Sequence, residues 1–303
     1  MRLMNDPQKS SPLEETVVIV GVGLIGGSLA AALRQRRVVR TVIGVGRDAS
    51  RLLAAKRAGL IDEVASDVTS AVVRADVIVF CTPVDRVVEG VRFASHHVRP
   101  GTLITDAGSV KEPICDDLAD VPQFVGSHPI AGSHRQGFEA ADANLFDGRL
   151  CVLTPLSSAT ESQVERLDRF WRAVGMRTKS MSPSTHDRAL AMTSHVPHVV
   201  ASALAATLTD ENRSLTGTGF RDTTRVAAGD PDLWTGILMQ NAEDVLIGID
   251  DVQRRLTAFR EALVAEDASR VRQLLKDGQL RREQLNEPLP TSQVDVPWQQ
   301  THD

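Results

Sequence analysis

The chain of 303 residues is long enough for one large or two ordinary domains, and its 42% hydrophobic content is ordinary for a globular protein. A net charge of −5 gives no footprint for nucleic acid and no basic membrane surface. No apolar run reaches the length of a membrane span, residues 1–13 lack a signal core, and the scattered Cys81, Cys115 and Cys151 form neither a metal-ligand spacing nor a disulfide framework. The expectation is a cytoplasmic protein with no metal, no nucleic-acid partner and no membrane association.

In chain order, residues 1–13 are polar, carry Pro7 and Pro12, and read as a disordered tail. From there to residue 181, short apolar strands alternate with helical patterns. Strands are predicted at 16–21, 41–45, 77–81, 102–106, 123–126, 150–154 and 177–181, and helices at 25–36, 49–58, 84–96 and 164–174. This alternation predicts an α/β domain over 14–181, a parallel, doubly wound sheet of Rossmann type that binds a dinucleotide. Strand patterns then stop. Residues 182–286 predict an all-helical C-terminal domain, with one long helix over 185–208 kinked at Pro197 and further helices over 231–263 and 269–285. Val245-Leu246-Ile247-Gly248-Ile249 is apolar on more than one face. That suits a helix buried in an interlocked homodimer, or an ordinary core helix of a monomer. Residues 287–303 hold three prolines and little periodicity, and read as a second disordered tail.

The strand at 16–21 runs into Gly21-Val22-Gly23-Leu24-Ile25-Gly26, a G-x-G-x-x-G turn that opens a helix and heads a βαβ unit. The first glycine allows the turn, the second lets backbone approach a pyrophosphate, and the third lets helix pack on strand. Gly21, Gly23, Leu24, Ile25 and Gly26 are therefore expected dinucleotide contacts, with the helix N-terminus aimed at the phosphates. The second strand ends Val42-Ile43-Gly44-Val45 and is followed by Gly46 and Arg47, where an NAD enzyme usually places an acid for the ribose. A guanidinium suits a 2′-phosphate, and Arg51 stands one helical turn later, so NADP is favoured. The alternative is NAD, with Asp48 serving the ribose and Arg47 at the surface.

Two more strand ends face the same crevice, Cys81-Thr82-Pro83 and Asp106-Ala107-Gly108-Ser109-Val110-Lys111. Cys81, Thr82 and Pro83 are expected along the cofactor. Ser109 reads either as a hydroxyl beside the nicotinamide or as a helix N-cap with Glu112 as its capping-box partner. His128, in Gly126-Ser127-His128-Pro129-Ile130-Ala131-Gly132-Ser133, reads as a loop histidine placed after a strand. A dehydrogenase acting on an alcohol needs a group to take the hydroxyl proton while hydride leaves the same carbon, and histidine suits that work near neutral pH.

These segments, with Leu145-Phe146, Thr154-Pro155, His186-Asp187, Ser194-His195-Val196-Pro197-His198 and Gly219-Phe220-Arg221-Asp222-Thr223-Thr224-Arg225, resemble the prephenate and arogenate dehydrogenase family over residues 17–285. The resemblance implies an oxidative decarboxylation in tyrosine biosynthesis, in which prephenate becomes 4-hydroxyphenylpyruvate with hydride transfer to NAD(P)+. It implies His128 as the catalytic acceptor from the substrate hydroxyl and Ser109 as its partner. It implies His198 as a substrate-binding histidine, supported by His195, and Arg225 as the arginine that holds a substrate carboxylate. By position in the same motifs, Ser127, His134 and Arg221 are expected at the substrate.

Elementary chemistry agrees with the clamp. Prephenate is a dianion, and arginine pairs with a carboxylate in two-pronged fashion. Arg221 and Arg225 are four apart and share a face if that segment is helical, although either could form a surface ion pair with Asp222 or Asp230. His186, His195 and His198 lack the carboxylate partners and spacing of zinc motifs. The substrate is left between prephenate and arogenate. His134 beside Arg135 favours the keto acid, whereas the strand end at Arg47 resembles NADP-dependent arogenate members; prephenate is preferred. No fused mutase is expected before residue 16 and no regulatory domain after residue 285, so any feedback by tyrosine is expected at the active site. The competing readings are another NADP-dependent oxidoreductase with a helical dimer domain, such as a 3-hydroxyacid dehydrogenase or an imine reductase, and a non-catalytic nucleotide sensor.

Overall fold

The computed structural model describes residues 12–65, 67–132 and 135–285. Apart from Pro12 and Leu13, the tails expected at 1–13 and 287–303 lie outside the described residues, as does His134.

Strand β1 (Glu14–Val20) is apolar on both faces because both faces are covered. Val17 and Ile19 join a core with Leu29 and Leu33, while Val18 and Val20 join another with Ile78, Phe80 and Val91. After β1 come α1 (Leu24–Gln35), β2 (Val39–Val45), α2 (Ala49–Arg57), β3 (Glu63–Val64), α3 (Val68–Val72), β4 (Val77–Phe80), α4 (Val87–Ser95), β5 (Leu103–Asp106) and α5 (Glu112–Asp117). The five strands are all parallel in the order β3-β2-β1-β4-β5, so the chain winds outward both ways from β1. Val20 pairs with Val45 and with Phe80, and Phe80 pairs with Asp106, so four strands finish level at one edge.

The rest of the predicted strands form a second sheet rather than extending the first. Strand β6 (Gly126–Pro129) is antiparallel to β7 (Leu150–Thr154), which is parallel to β8 (Arg177–Ser180); α6 (Glu161–Ala173) connects the last two. A single parallel bridge, Ile104 to Phe124, runs beside β5 just before β6 begins. The strand expected at 123–126 is thus displaced, and His128 lies within β6, opposite Val152, not in a loop. Its Gly-Ser-His-Pro sequence reads as punctuation, yet β6 is an edge strand, where a proline costs no ladder bond on the open side.

The described residues divide into two compact units, those up to residue 186 with 229–237, and residues 187–228 with those from 238 onward. No strand occurs among the described residues of the second. Its elements run from the end of α7 (Pro183–Leu190) through α8 (Val196–Ala205) and α9 (Thr218–Thr224) to α11 (Ala242–Val264) and α12 (Ala268–Gln284), while α10 (Pro231–Gln240) lies largely in the first unit. The long helix expected over 185–208 is interrupted by a π-turn at Ala191–His195. Pro197, which can donate no backbone bond, stands in the first turn of α8, and the wider turn before it takes up the misfit. The helix expected over 231–263 breaks at Asn241, whose buried amide donates to the Asp187 carbonyl at 2.9 Å and lies 3.1 Å from His195 Nδ1. In α11, Val245 is buried, whereas Leu246 and Ile247 are 59% and 60% exposed. Among the described residues no helix is long and apolar enough to cross a membrane.

Candidate active site

The level strand ends carry the predicted crevice. Gly21 has φ +97°, and a Cβ there would meet the Cys81 carbonyl oxygen at 2.7 Å, so only glycine allows the β1 and β4 ends to lie this close. A Cβ on Gly26 would strike the Gly21 carbonyl, which ties the helix to its turn. Gly23 faces open space, and no side chain caps α1, whose opening residues Leu24 and Ile25 are half-buried. The amides of its first turn are therefore available to an anion. Thr82 adds a buried hydroxyl with no hydrogen-bond partner. A glycine turn with open space at Gly23, uncapped amides and an orphaned hydroxyl fit a dinucleotide pyrophosphate. Cys81 is half-buried and Pro83 exposed; burial first, and then the Asp106 carboxylate, push the Cys81 thiol up, so it stays a neutral wall.

At the end of β2, Arg47 is exposed and makes no ion pair with a described residue. Asp48 is engaged as the N-cap of α2, where its Oδ1 accepts from the Ser50 and Arg51 amides at 2.9 and 3.1 Å. The Ser50 hydroxyl, and then the Arg51 amide, hold its carboxyl below the ordinary value. Arg51 is engaged with two other side chains. Its guanidinium pairs with Glu139 at 3.2 Å and lies over the Phe138 ring, 5.5 Å from the centroid.

Beyond β5, Ser109 is half-buried. The capping alternative is not realised: α5 starts at Glu112, Lys111 occupies the cap position, and no side chain caps the helix. Asp106 and Lys111, both fully buried, form an ion pair across the Ser109 turn. The same carboxylate accepts from the Gly108 amide at 2.8 Å and the Ser127 amide at 3.1 Å, while Lys111 Nζ donates to the Ser127 carbonyl at 3.1 Å. One buried pair therefore fixes the Ser109 turn and the residue before His128 together.

Ser127, expected at the substrate, is instead fully buried. Its hydroxyl donates to the Asp106 carbonyl at 2.6 Å, lies 2.8 Å from the Thr105 hydroxyl, and accepts from Trp171 Nε1 at 3.1 Å. Alternation along β6 sends Ser127 inward and turns His128 to the other face. His128 is 7% exposed, and its Nδ1 lies 2.8 Å from Nε2 of the fully buried His186 on α7. His186, Asp106, Lys111 and Trp171 have no role among the sequence expectations. The first three stand inside quoted motifs, and an acid and a lysine five apart around a glycine turn are a signal for a bridging pair.

The second unit carries the other expected residues. His195, at the end of the π-turn, and His198, in the first turn of α8, are both buried, and burial pushes the His198 imidazole down from its ordinary value. Arg221 lies in α9 and Arg225 at its C-terminal end, four residues on; both are exposed, and neither pairs with Asp222 or Asp230. Asp230 is engaged instead with the start of α10, accepting from the Asp232 amide at 2.8 Å, and with Gln136 at 2.9 Å. Among the described residues no group of His, Cys, Asp or Glu could hold a metal ion.

Comparison with known proteins adds independent observations. Residues 29–180 match the family described as prephenate dehydrogenase, nucleotide-binding domain, and residues 182–277 match prephenate dehydrogenase, dimerization domain. The prephenate dehydrogenase of Bacillus subtilis is 32% identical over 284 residues, 90% of this chain and 76% of that protein. Among solved structures, prephenate dehydrogenase from A. aeolicus in complex with hydroxyphenyl propionate and NAD+ superposes with a TM-score of 0.84 at 32% identity, covering 90% of this chain and 98% of that one. The arogenate dehydrogenase of Synechocystis gives 0.77 at 32% identity, covering 89% and 99%. With an NAD(P)-binding Rossmann-type domain, a helical second domain and matches along nearly the whole described length, the chain belongs to the prephenate/arogenate dehydrogenase family, oxidoreductases of aromatic amino-acid biosynthesis.

Proposed function

We propose that the chain catalyses the oxidative decarboxylation of prephenate to 4-hydroxyphenylpyruvate with NADP. The observation that carries this reading is His128, nearly buried at the end of an edge strand and held through Nδ1 by His186. With Nδ1 so engaged, Nε2 is the nitrogen that takes the substrate's proton. Ser109 orients the hydroxyl, and the Asp106–Lys111 pair fixes that turn against the strand bearing His128.

A bound nicotinamide supplies the hydride acceptor. His128 takes the hydroxyl proton as the ring C–H bond breaks. The C–CO2 bond then breaks, its electron pair aromatises the ring, and the phenolate oxygen recovers the proton from His128. Carbon dioxide and the reduced cofactor are the other products, and no net proton is exchanged. Arg225 and Arg221, exposed and not paired with a neighbouring acid, supply positive charge for the carboxylates. His198, whose pKa is lowered by burial, gives a hydrogen bond without adding charge, and His195, three residues earlier in the chain, is held by Asn241 at the break between α10 and α11. Arg47 suits the 2′-phosphate of NADP, because Asp48 is engaged in capping α2. The exposed Leu246 and Ile247 of α11 support a homodimer formed through the helical domain.

The test is an assay of prephenate and arogenate, each with NAD and with NADP, following the reduced nicotinamide. The highest kcat/KM is expected for prephenate with NADP. A preference for arogenate moves the substrate to the amino acid, a preference for NAD removes Arg47 from the phosphate, and silence in all four combinations overturns the reading.

A further inference from the structure

The His128–His186 contact is more specific than a buried polar pair needs to be. Two imidazoles 2.8 Å apart share one hydrogen, so one ring nitrogen donates and the other accepts. A histidine that takes a proton at Nε2 must already carry its own proton at Nδ1. His128 Nδ1 then donates, and His186 Nε2 accepts. His186 must in turn carry its proton at Nδ1. The two tautomers are therefore locked together: if His186 presented an Nε2–H, His128 would be driven to the tautomer whose Nε2 cannot accept.

We propose that His186 is a positioning residue that holds His128 in the Nδ1-protonated tautomer and fixes the plane of its ring. His186 is fully buried on α7, its backbone amide is anchored to the Ser182 carbonyl at 3.0 Å, and the two rings meet edge to face at 5.1 Å with an interplanar angle of 70°. The burial leaves neither ring room to turn. In a catalytic triad the group behind the histidine is a carboxylate, which both orients the imidazole and stabilises its charge. Here it is an imidazole. Orientation is retained, and the charge on protonated His128 is met by a polarisable neutral acceptor.

The proposal rests on the reading of His128 as the base, and the experiment separates the two. Steady-state kinetics with prephenate and NADP, or with the pair of compounds that the full-length protein turns over best, are measured for His128→Asn, His186→Phe and His186→Gln. Phenylalanine keeps the ring and removes the acceptor, whereas the glutamine side-chain oxygen restores an acceptor near the position of Nε2. H186F is expected to lower kcat by about 100-fold or more, with both KM values within about threefold of wild type. H186Q is expected to recover at least about tenfold of that loss, which a merely structural role would not produce. If H186F does not bind NADP, His186→Leu is read in its place. A kcat for H186F within about threefold of wild type beside an inactive H128N, or a glutamine variant no better than phenylalanine, overturns the role of His186 alone. Near-normal turnover by H128N overturns the reading of His128 itself.

Discussion

Trp171 donates its indole N–H to the Ser127 hydroxyl at 3.1 Å, across 44 residues of sequence, one position before His128. The same hydroxyl bonds the Asp106 carbonyl at 2.6 Å, so α6 and β5 both grip the strand that presents the imidazole. Ser127→Ala would leave a fully buried indole N–H unpaired. A loss of about 1–3 kcal/mol is expected. Urea denaturation measures it, and a variant as stable as wild type would show that this hydroxyl carries no such bond in solution.

The Asp106–Lys111 pair is expected to matter more. Both side chains are fully buried, and together they hold the Ser109 turn and the Ser127 backbone. Lys111→Met removes one partner and strands a buried carboxylate, at a cost of about 3–5 kcal/mol. Adding Asp106→Asn should recover part of that loss, because the stranded charge is then gone. Chemical denaturation of the two single variants and the double variant gives the coupling. Strictly additive losses would mean that the two groups do not depend on one another.

The proposed NADP preference puts Arg47, rather than Arg51, at the 2′-phosphate. Arg47 is uncommitted, whereas Arg51 is held by Glu139 and Phe138. Arg47→Ser is expected to raise KM for NADP by about tenfold or more, with KM for NAD nearly unchanged, since one charge-assisted hydrogen bond is worth about 1.5–3 kcal/mol. Glu139→Gln releases Arg51 and should change NADP affinity by no more than a few-fold, the pair being solvent-exposed. Kinetics with both cofactors check this. An unchanged NADP-to-NAD ratio in R47S would place Arg47 outside the phosphate site.

Arg225 is expected to act in binding. Arg225→Gln keeps some hydrogen-bonding capacity but shortens the side chain and loses the charge and the fork, so KM for prephenate, the proposed substrate, should rise roughly 10- to 100-fold, with a smaller change in kcat. Initial-rate measurements over a wide substrate range decide it. An unchanged KM removes Arg225 from the clamp.

What the sequence made legible was local. The apolar run into Gly21-Val22-Gly23 and the alternation through β5 specify the parallel sheet, because each signal lies within one element. The strand character of His128 is not local: Gly126-Ser127-His128-Pro129 pairs with β7, whose nearest partner residue, Cys151, is 22 positions further on. Ser127 looked like a ligand contact until Trp171 was placed beside it. Glu139, which engages Arg51, is 88 residues away. The π-turn before Pro197 arises from a competition between proline and the helix ladder that a helical pattern alone does not resolve.

The lowered pKa of His198 links proton uptake to folding. Its cause is burial, which disfavours the imidazolium. In the unfolded chain the group titrates near its ordinary value of about 6.5, while in the folded chain it titrates lower, so the unfolded state binds more protons between those two values. Its contribution to stability is therefore complete above about pH 6.5 and is lost as the pH falls below that value toward the folded pKa. Thermal melts between pH 7.5 and 5 should show the wild type losing stability more steeply than His198→Gln, which carries no titrating group there. Parallel curves for the two proteins would mean that His198 is protonated as readily in the folded chain as in the unfolded one.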